Sequence, residues 1–256
     1  MPEIRIGTSG WSYHSWRGPF FPKEVKVKDH LAFYVTRFNA TELNAPFYRT
    51  PTLEAVKGWR ENTPQDFKFA WKASKFITHW KRLTEKCDNS IELLESRLKV
   101  LGHKAGPVLF QLPPQMQANR ERLASFLKML SKKWRYTFEF RHPSWYEDDI
   151  LDLLREHDIA LCLSDHADAP SPWKVTARLV YIRGHGPTGR YHSHYPDKTL
   201  QDWAEHIRRW HRQRRDVYCF FDNDQKSAAP KDAERLLELV QPQRRKAAAW
   251  SEMESI

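Results

Sequence analysis

The sequence predicts an α/β fold, a TIM-type (β/α)8 barrel, and three observations carry that expectation. Strand-like and helix-like segments alternate along the whole chain. Eight such units in roughly 240 residues suit a closed barrel with right-handed crossovers better than an open sheet. Nearly every strand-like segment also starts apolar and ends in a polar side chain, as strands opening into one shared mouth do. A doubly wound open sheet is the alternative arrangement.

The elements follow in order. Residues 4–10, IRIGTSG, read as strand one, and KDHLAFYVTRF as a short helix. Strand two covers 39–44, with TLEAVKGWREN as its helix, and strand three covers 67–74. A long basic loop, KFITHWKRLTEKCDN, leads to helix three, where Ile91, Leu94, Leu98 and Leu101 recur at helical spacing. Strand four covers 106–114 and stops at Pro113–Pro114. Helix four presents Leu123, Phe126, Leu127 and Leu130 behind an Asn119 cap.

Strand five, YTFEFR, alternates Phe138 and Phe140 on one side with Thr137, Glu139 and Arg141 on the other. Its helix places Ile150, Leu153, Leu154 and His157 on one face. Strand six covers 159–165, and the Pro-rich connection after it replaces a helix. Strand seven covers 179–186. Helix seven turns Leu200, Trp203, Ile207 and Trp210 inward beneath an Arg-rich outer face. Strand eight covers 216–224, and the last helix uses Ala233, Leu236, Leu237 and Val240. A barrel domain over 1–240 and a C-terminal extension over 241–256 follow.

The 256 residues are 40% hydrophobic and 29% charged, enough apolar content for a core and no signature of disorder. A net charge of +10 favours anionic partners, either a small molecule or nucleic acid. Cys87, Cys162 and Cys219 lack metal-ligand or redox spacing and read as reduced thiols, two of them in strands. No apolar run approaches the ~20 residues of a membrane span, and no signal pattern opens the chain. The expectation is a soluble cytoplasmic protein with no membrane partner and an open oligomeric state.

Active sites of such barrels lie at the C-terminal strand ends. Alternation assigns to that end Ser9, Glu42, Asn44, Lys72, Ser74, Gln111, Glu139, Arg141, Arg183 and His185, with Asp165 or Ser164 from strand six and Asp222 from strand eight. Two readings stand for this ring: an interior ion-pair network, or a site that binds or reacts. Above it, Trp11, Tyr13, Trp16, Phe47, Tyr48, Trp145 and Tyr146 suit stacking on a flat ring, or packing on one another as a lid. RGHGPTGR is a weak candidate phosphate cradle, and His192 and His194 are weak metal candidates. HExxH, P-loop and GxSxG patterns are lacking.

The segments IGTSGWSYHSWRGPFFP, FNATELNAPFYRTP, FKFAWKASKFITHWKRL, GPVLFQLPP, EFRHPSW, YIRGHG and FFDND occur in one order and spacing. Together they resemble the YecE-like family, known as domain of unknown function 72, over roughly residues 4–239. The resemblance implies a TIM-type barrel and supplies no settled activity. Its motif positions here include Gly7, Ser9, Gly10, Trp11, Glu42, Asn44, Phe47, Tyr48, Lys72, Thr78, His79, Gln111, Pro113, Glu139, Arg141, Trp145, Asp165, Arg183, Gly184 and Gly186. The family tends to end strand eight in Phe-Asn-Asn, whereas this chain has Phe221-Asp222-Asn223. The added acid bears on charge and metal affinity.

Three functions are weighed. The first is an enzyme working by acid/base chemistry on a phosphate-bearing substrate, nucleotide or nucleic-acid related. Glu42, Glu139 and Asp165 would be catalytic. Ser9, Trp11, Asn44, Tyr48, Lys72, His79, Gln111, Arg141, Trp145, Arg183 and Asp222 would bind substrate. No cofactor is expected, although Mg²⁺ or Mn²⁺ suits a set of carboxylates. The second is a glycoside hydrolase-like enzyme with Glu42 and Glu139 flanking a bond. The third is a non-catalytic single-stranded nucleic-acid-binding protein using the rim and the Arg face of helix seven.

Overall fold

The computed structural model describes residues 2–240. The proposed extension at 241–256 lies outside the described residues. Eight parallel strands form one sheet: β1 Ile4–Thr8, β2 Ala40–Leu43, β3 Lys68–Lys72, β4 Ala105–Gln111, β5 Tyr136–Glu139, β6 Ala160–Ser164, β7 Leu179–Gly184 and β8 Asp216–Phe221. Their spatial order is β1-β8-β7-β6-β5-β4-β3-β2, which brings β1 back beside β2. This is the expected (β/α)8 barrel. The main helices are α1 His30–Arg37, α2 Ala45–Tyr48, α3 Leu53–Glu61, α4 Asp88–Leu101, α5 Arg120–Met129, α6 Asp148–Glu156, α7 Asp197–Arg212 and α8 Ala228–Val240.

The β1–β2 seam closes without a regular ladder. Asn39 spans it, accepting from Ile6 N at 3.1 Å and donating to Ile4 O at 3.0 Å. The Tyr34 hydroxyl bridges Thr8 N and Ala40 O, and a bridge pairs Ser9 with Glu42. Such contacts need close backbones. A Cβ at Gly7 would lie 2.0 Å from the Ala40 carbonyl oxygen, so only glycine permits the approach.

Alternation builds two apolar layers. Outward side chains join the helices in the larger core, where Phe110, Phe126 and Phe138 meet and Ile91, Leu94, Leu98 and Leu101 of α4 are all buried. Inward side chains fill the lumen: Ala40, Ala70, Leu109, Cys162, Tyr181, Tyr218 and Phe220. Small residues of β2 and β3 complement the large ones of β7 and β8, as a filled barrel requires. The N-terminal end is closed by Glu3, Arg5, Arg135, Asp216 and Tyr218.

Several expectations change. No helix lies between β6 and β7 among the described residues, as the prolines implied, and Thr176 there satisfies Leu161 N and Ile159 O. The basic segment after β3 is not a plain loop; it holds a π-helical turn, Phe76–Trp80, and a 3-10 turn, Glu85–Cys87. His157 is exposed rather than inward, because α6 ends at Glu156 and the chain turns at Asp158 with φ 52°. Asn119 caps α5 as expected, accepting from Arg122 N at 2.8 Å. All three cysteines are free and buried. No helix among the described residues is long and apolar enough to cross a membrane.

Candidate functional site at the barrel mouth

Period two fixes which side chains reach the C-terminal end of the lumen. From β7, Tyr181, Arg183 and then His185 share the inner side; from β5, Glu139 and then Arg141 share it. On β6 the inner position belongs to Ser164, whose hydroxyl lies 3.4 Å from both Glu139 Oε1 and His185 Nδ1.

Arg183 is the hub and is fully buried. Its Nε donates to Glu42 at 3.1–3.2 Å, Nη2 to Glu42 at 2.9 Å and Asp222 at 2.8 Å, and Nη1 to Glu139 at 2.8 Å. Nη1 also lies 3.2 Å from His185 Nε2, and Nη2 reaches Ser9 Oγ at 3.3 Å. Every edge of the guanidinium is therefore engaged. Glu42 is completed by Ser9 and Tyr181 hydroxyls, each at 2.6 Å. Glu139 is completed by Gln111 at 3.1 Å and an ion pair with Arg141.

Charge states follow from these partners. Burial works against ionisation of Glu42, yet Arg183 and Lys72 hold its carboxyl below the ordinary value. Burial likewise opposes Glu139, yet Arg141 and Arg183 hold it well below. Burial opposes the Arg183 charge, but Glu42, Glu139 and Asp222 keep it firmly protonated. These groups form a fixed lattice of alternating charge.

Beside the lattice lies a positive side with open valences. The half-buried Lys72 ammonium sits 4.5 Å from the Phe47 ring centroid, in no ion pair and donating no hydrogen bond among the described residues. Burial and Arg183 pull it below its ordinary pKa, against the opposing attraction of Asp222, Glu42 and Glu139. Arg141 bonds through Nη2, while its buried Nε has no partner. His79 bonds Thr78 at 2.9 Å through Nδ1; burial, then Lys72, Lys75, Arg141 and Arg82, lower its pKa. Four cations acting on one imidazole mark a positive field.

The mouth thus gathers Ser9, Glu42, Gln111, Glu139, Arg141, Arg183 and Asp222, with Lys72 and His79 alongside. Asp165 joins through His185, accepting from its amide at 2.7 Å, and takes the Tyr195 hydroxyl. Asn44 is half-buried, with its Oδ1 unpartnered. Tyr48 is 71% exposed at the rim. Two expected site residues are elsewhere. Trp11 packs edge-on against Trp59 and Phe69 on the outer layer. Trp145 is fully buried, stacked on Phe140, its indole donating to Met116 O at 2.6 Å. Trp11 lies on a loop and Trp145 in the 3-10 turn Pro143–Tyr146, and in neither does strand alternation give a direction.

Tyr181, Tyr191 and Tyr195 were not singled out by sequence. Tyr181 was findable, standing two residues before Arg183 on one face. Tyr191 and Tyr195 belong to the Gly-rich connection, which carried no such signal. That connection is no open phosphate cradle: Gly186 N bonds Tyr195, Gly189 N bonds Gly186 O, and Tyr191 N bonds His185 O. His194 is committed to Asp232. No group of three or more His, Cys, Asp or Glu residues stands together to hold a metal ion among the described residues.

Known proteins place this site in a family. A family model described as "Protein of unknown function DUF72" matches residues 5–254. The chain is 25% identical over 270 residues to the UPF0759 protein YunF of Bacillus subtilis, covering 93% of this chain and 94% of YunF. It is 31% identical over 145 residues to YecE of Escherichia coli, covering 56% of this chain and 50% of YecE. A DUF72 family protein of Thermotoga maritima superposes with TM-score 0.82 at 26% identity, over 93% of this chain and 99% of that one. One from Enterococcus faecalis shares the fold at TM-score 0.78 and 20% identity, over 93% and 95%. The chain belongs to the DUF72 family of YecE-like proteins.

Proposed function

We propose that the protein is an enzyme acting on a small phosphate-bearing substrate held on the positive side of the barrel mouth. The observation that carries this reading is Lys72, an ammonium withdrawn from bulk water with no acid at ion-pair distance, while the acids that attract it from further off, Asp222, Glu42 and Glu139, are bonded by arginines. A cation so placed is costly unless an anion joins it. Arg141, 9% exposed and with its Nε unpartnered, is a second cation acting on the same imidazole, His79, as Lys72 does. A phosphate accepts from both.

The roles then differ from the first expectation. Glu42 and Glu139 stay ionised and saturated, which makes them poor proton carriers at neutral pH; they orient Arg183 and Arg141. Lys72 and Arg141 hold the phosphate and the charge that grows on it. His79, its pKa lowered by burial and then by its cationic neighbours, is the group free to take a proton from an attacking water. Phosphate-ester hydrolysis is the reaction this set supports.

A glycosidase arrangement fits less well, because Arg183 lies between Glu42 and Glu139 and bonds both. The basic face of α7 is partly committed as well: Arg208 donates to Leu239 O and Arg209 to His206.

The test is calorimetric and thermal titration with inorganic phosphate, ribose 5-phosphate and ribose. Ribose 5-phosphate at about 100 times its Kd stabilises the protein by roughly 2.7 kcal/mol, and ribose does not. Lys72→Met and Arg141→Ala each abolish the shift. Failure of both phosphates to bind, or a shift surviving both substitutions, refutes the reading.

A further inference from the structure

We infer that the segment after β3 carries a stacking subsite for the flat heteroaromatic base of a free mononucleotide, whose phosphate lies at Lys72 and Arg141. This inference rests on the phosphate-substrate reading and names its substrate class.

The motivating feature is a group of exposed rings that core packing does not require. Tyr48 is 71% exposed, Trp80 64% and Phe76 40%. Single exposed aromatics are ordinary. Two of them flank one cation, Lys75, whose Nζ stands 5.6 Å from the Tyr48 centroid and 5.3 Å from that of Trp80, and Lys81 lies over the Phe76 ring at 4.7 Å. Phe76 meets Trp80 edge-on at 5.4 Å. The arrangement offers ring faces to solvent beside positive charge, the chemistry that receives a base next to a phosphate.

The platform adjoins the mouth. Phe47 meets Tyr48 edge-on at 5.1 Å, meets His79 edge-on at 5.1 Å, and lies under Lys72 at 4.5 Å. One ring therefore separates the exposed rings from the unpaired ammonium. The backbone that displays them is unusual. Phe76–Trp80 is a turn of π-helix, a geometry common at functional positions. Arg82 and Leu83 follow in consecutive left-handed conformations, with φ 47° and 60°. Neither is glycine, and Leu83 is anchored in the core at 1% exposure. Strain of this kind persists where the surroundings over-determine a local shape.

The occupant is a free mononucleotide rather than a strand. Three rings on adjoining turns suffice for one base, whereas an oligonucleotide needs successive rings along a basic groove. Lys72 and Arg141 meet the single phosphate, and Lys75 and Arg82 add to the positive field on the same side.

The experiment is calorimetry with AMP, GMP, CMP, UMP, ribose 5-phosphate and a short single-stranded oligonucleotide. The best mononucleotide binds roughly 5- to 100-fold more tightly than ribose 5-phosphate, the range expected for one stacked base. Tyr48→Ser and Trp80→Ser remove most of that advantage and leave ribose 5-phosphate affinity unchanged. Both side chains are exposed, so the variants fold. Ribose 5-phosphate binding as tightly as every mononucleotide overturns the stacking subsite and leaves the phosphate reading intact. Binding by neither class overturns both. Binding of the oligonucleotide alone overturns the free-mononucleotide assignment in favour of a strand.

Discussion

Replacing Arg183 by Met tests whether the mouth is built on a closed ionic lattice. The guanidinium is fully buried and bonds Glu42, Glu139 and Asp222. Met retains much of the volume and removes the charge. The three acids then fare differently. Asp222, with a side chain 16% exposed, can recruit water. Glu139 keeps Arg141 and Gln111. Glu42 keeps the hydroxyls of Ser9 and Tyr181 and the longer-range attraction of Lys72, at zero exposure. The cost therefore concentrates on Glu42, as a buried carboxylate left with no cation at contact distance. Breaking one such pair costs about 3–5 kcal/mol, a large part of the ~5–15 kcal/mol that holds a domain folded. The pH dependence makes the test specific. In the native protein Arg183 keeps the folded Glu42 pKa below its unfolded value, so its contribution is present at neutral pH and lost as pH falls. In Arg183→Met burial dominates and raises the folded value above the unfolded one. The variant is then relieved in acid and penalised as pH rises. The stability gap between the proteins narrows on acidification by up to about 1.4 kcal/mol per pH unit while Glu42 is titrating. Urea unfolding followed by far-UV circular dichroism at pH 7 and pH 5 measures the gap. Glu42→Gln in the same chain recovers much of the loss. A gap under about 1 kcal/mol, or one that ignores pH, refutes the lattice.

Other outcomes follow from the same structure. Lys72→Met costs less than Arg183→Met, because it breaks no ion pair or hydrogen bond and loses the contact with Phe47 and a longer-range attraction to Glu42; thermal melts compare the two variants. Gly7→Ala loses more than about 3 kcal/mol, because its Cβ would meet the Ala40 carbonyl at 2.0 Å and force β1 from β2; a native-like urea midpoint would contradict the seam. At the opposite end, burial alone would raise the Glu3 carboxyl, but Tyr218, Arg5 and Arg135 bring it from 4.5 to about 2. That depressed value contributes about 3 kcal/mol above pH 4.5, lost as pH falls toward 2. Glu3→Gln therefore shows a shallower acid limb in stability against pH.

Much of this was legible because the strand period is geometric. Ser9, Glu42, Lys72, Gln111, Glu139, Arg141 and Arg183 were assigned to one end by counting in twos, and the structure brings them there. Where counting stops, so does legibility. Trp11 and Trp145 lie beyond the strand ends, and each turns into the apolar shell because a buried ring gains more there than at a wet rim. Strand six left Ser164 and Asp165 open, and only the pairing of Cys162 with Tyr181 and Ser164 with Arg183 decides for Ser164. The seam was invisible, since Asn39 and Tyr34 act through side chains that imitate a ladder. The choice between ion-pair network and site could not be read either. It turns on which donors already have acceptors, and that depends on rotamers rather than spacing.

Comparison of the two ends of the lumen bears on that choice. Both are polar, and both use arginines against acids. At the N-terminal end Arg5 pairs with Glu3, and Arg135 pairs with Glu3 and Asp216, so each guanidinium meets acids. Lys68 gives its ammonium to His103 O at 2.6 Å. A lattice that only closes a barrel needs nothing more. At the C-terminal end the same kind of lattice surrounds Arg183, but cationic donors remain beside it: the Lys72 ammonium and the Arg141 Nε. A structural plug gains little from a desolvated cation with no acid at contact distance, because its removal would relieve the desolvation, spare every ion pair and hydrogen bond in the lattice, and lose only a longer-range attraction to Glu42, Glu139 and Asp222. Fold analogy alone says that such barrels react at this end. The donors left without acceptors are a separate physical argument for the same end, and under the proposed reading they favour an anionic ligand.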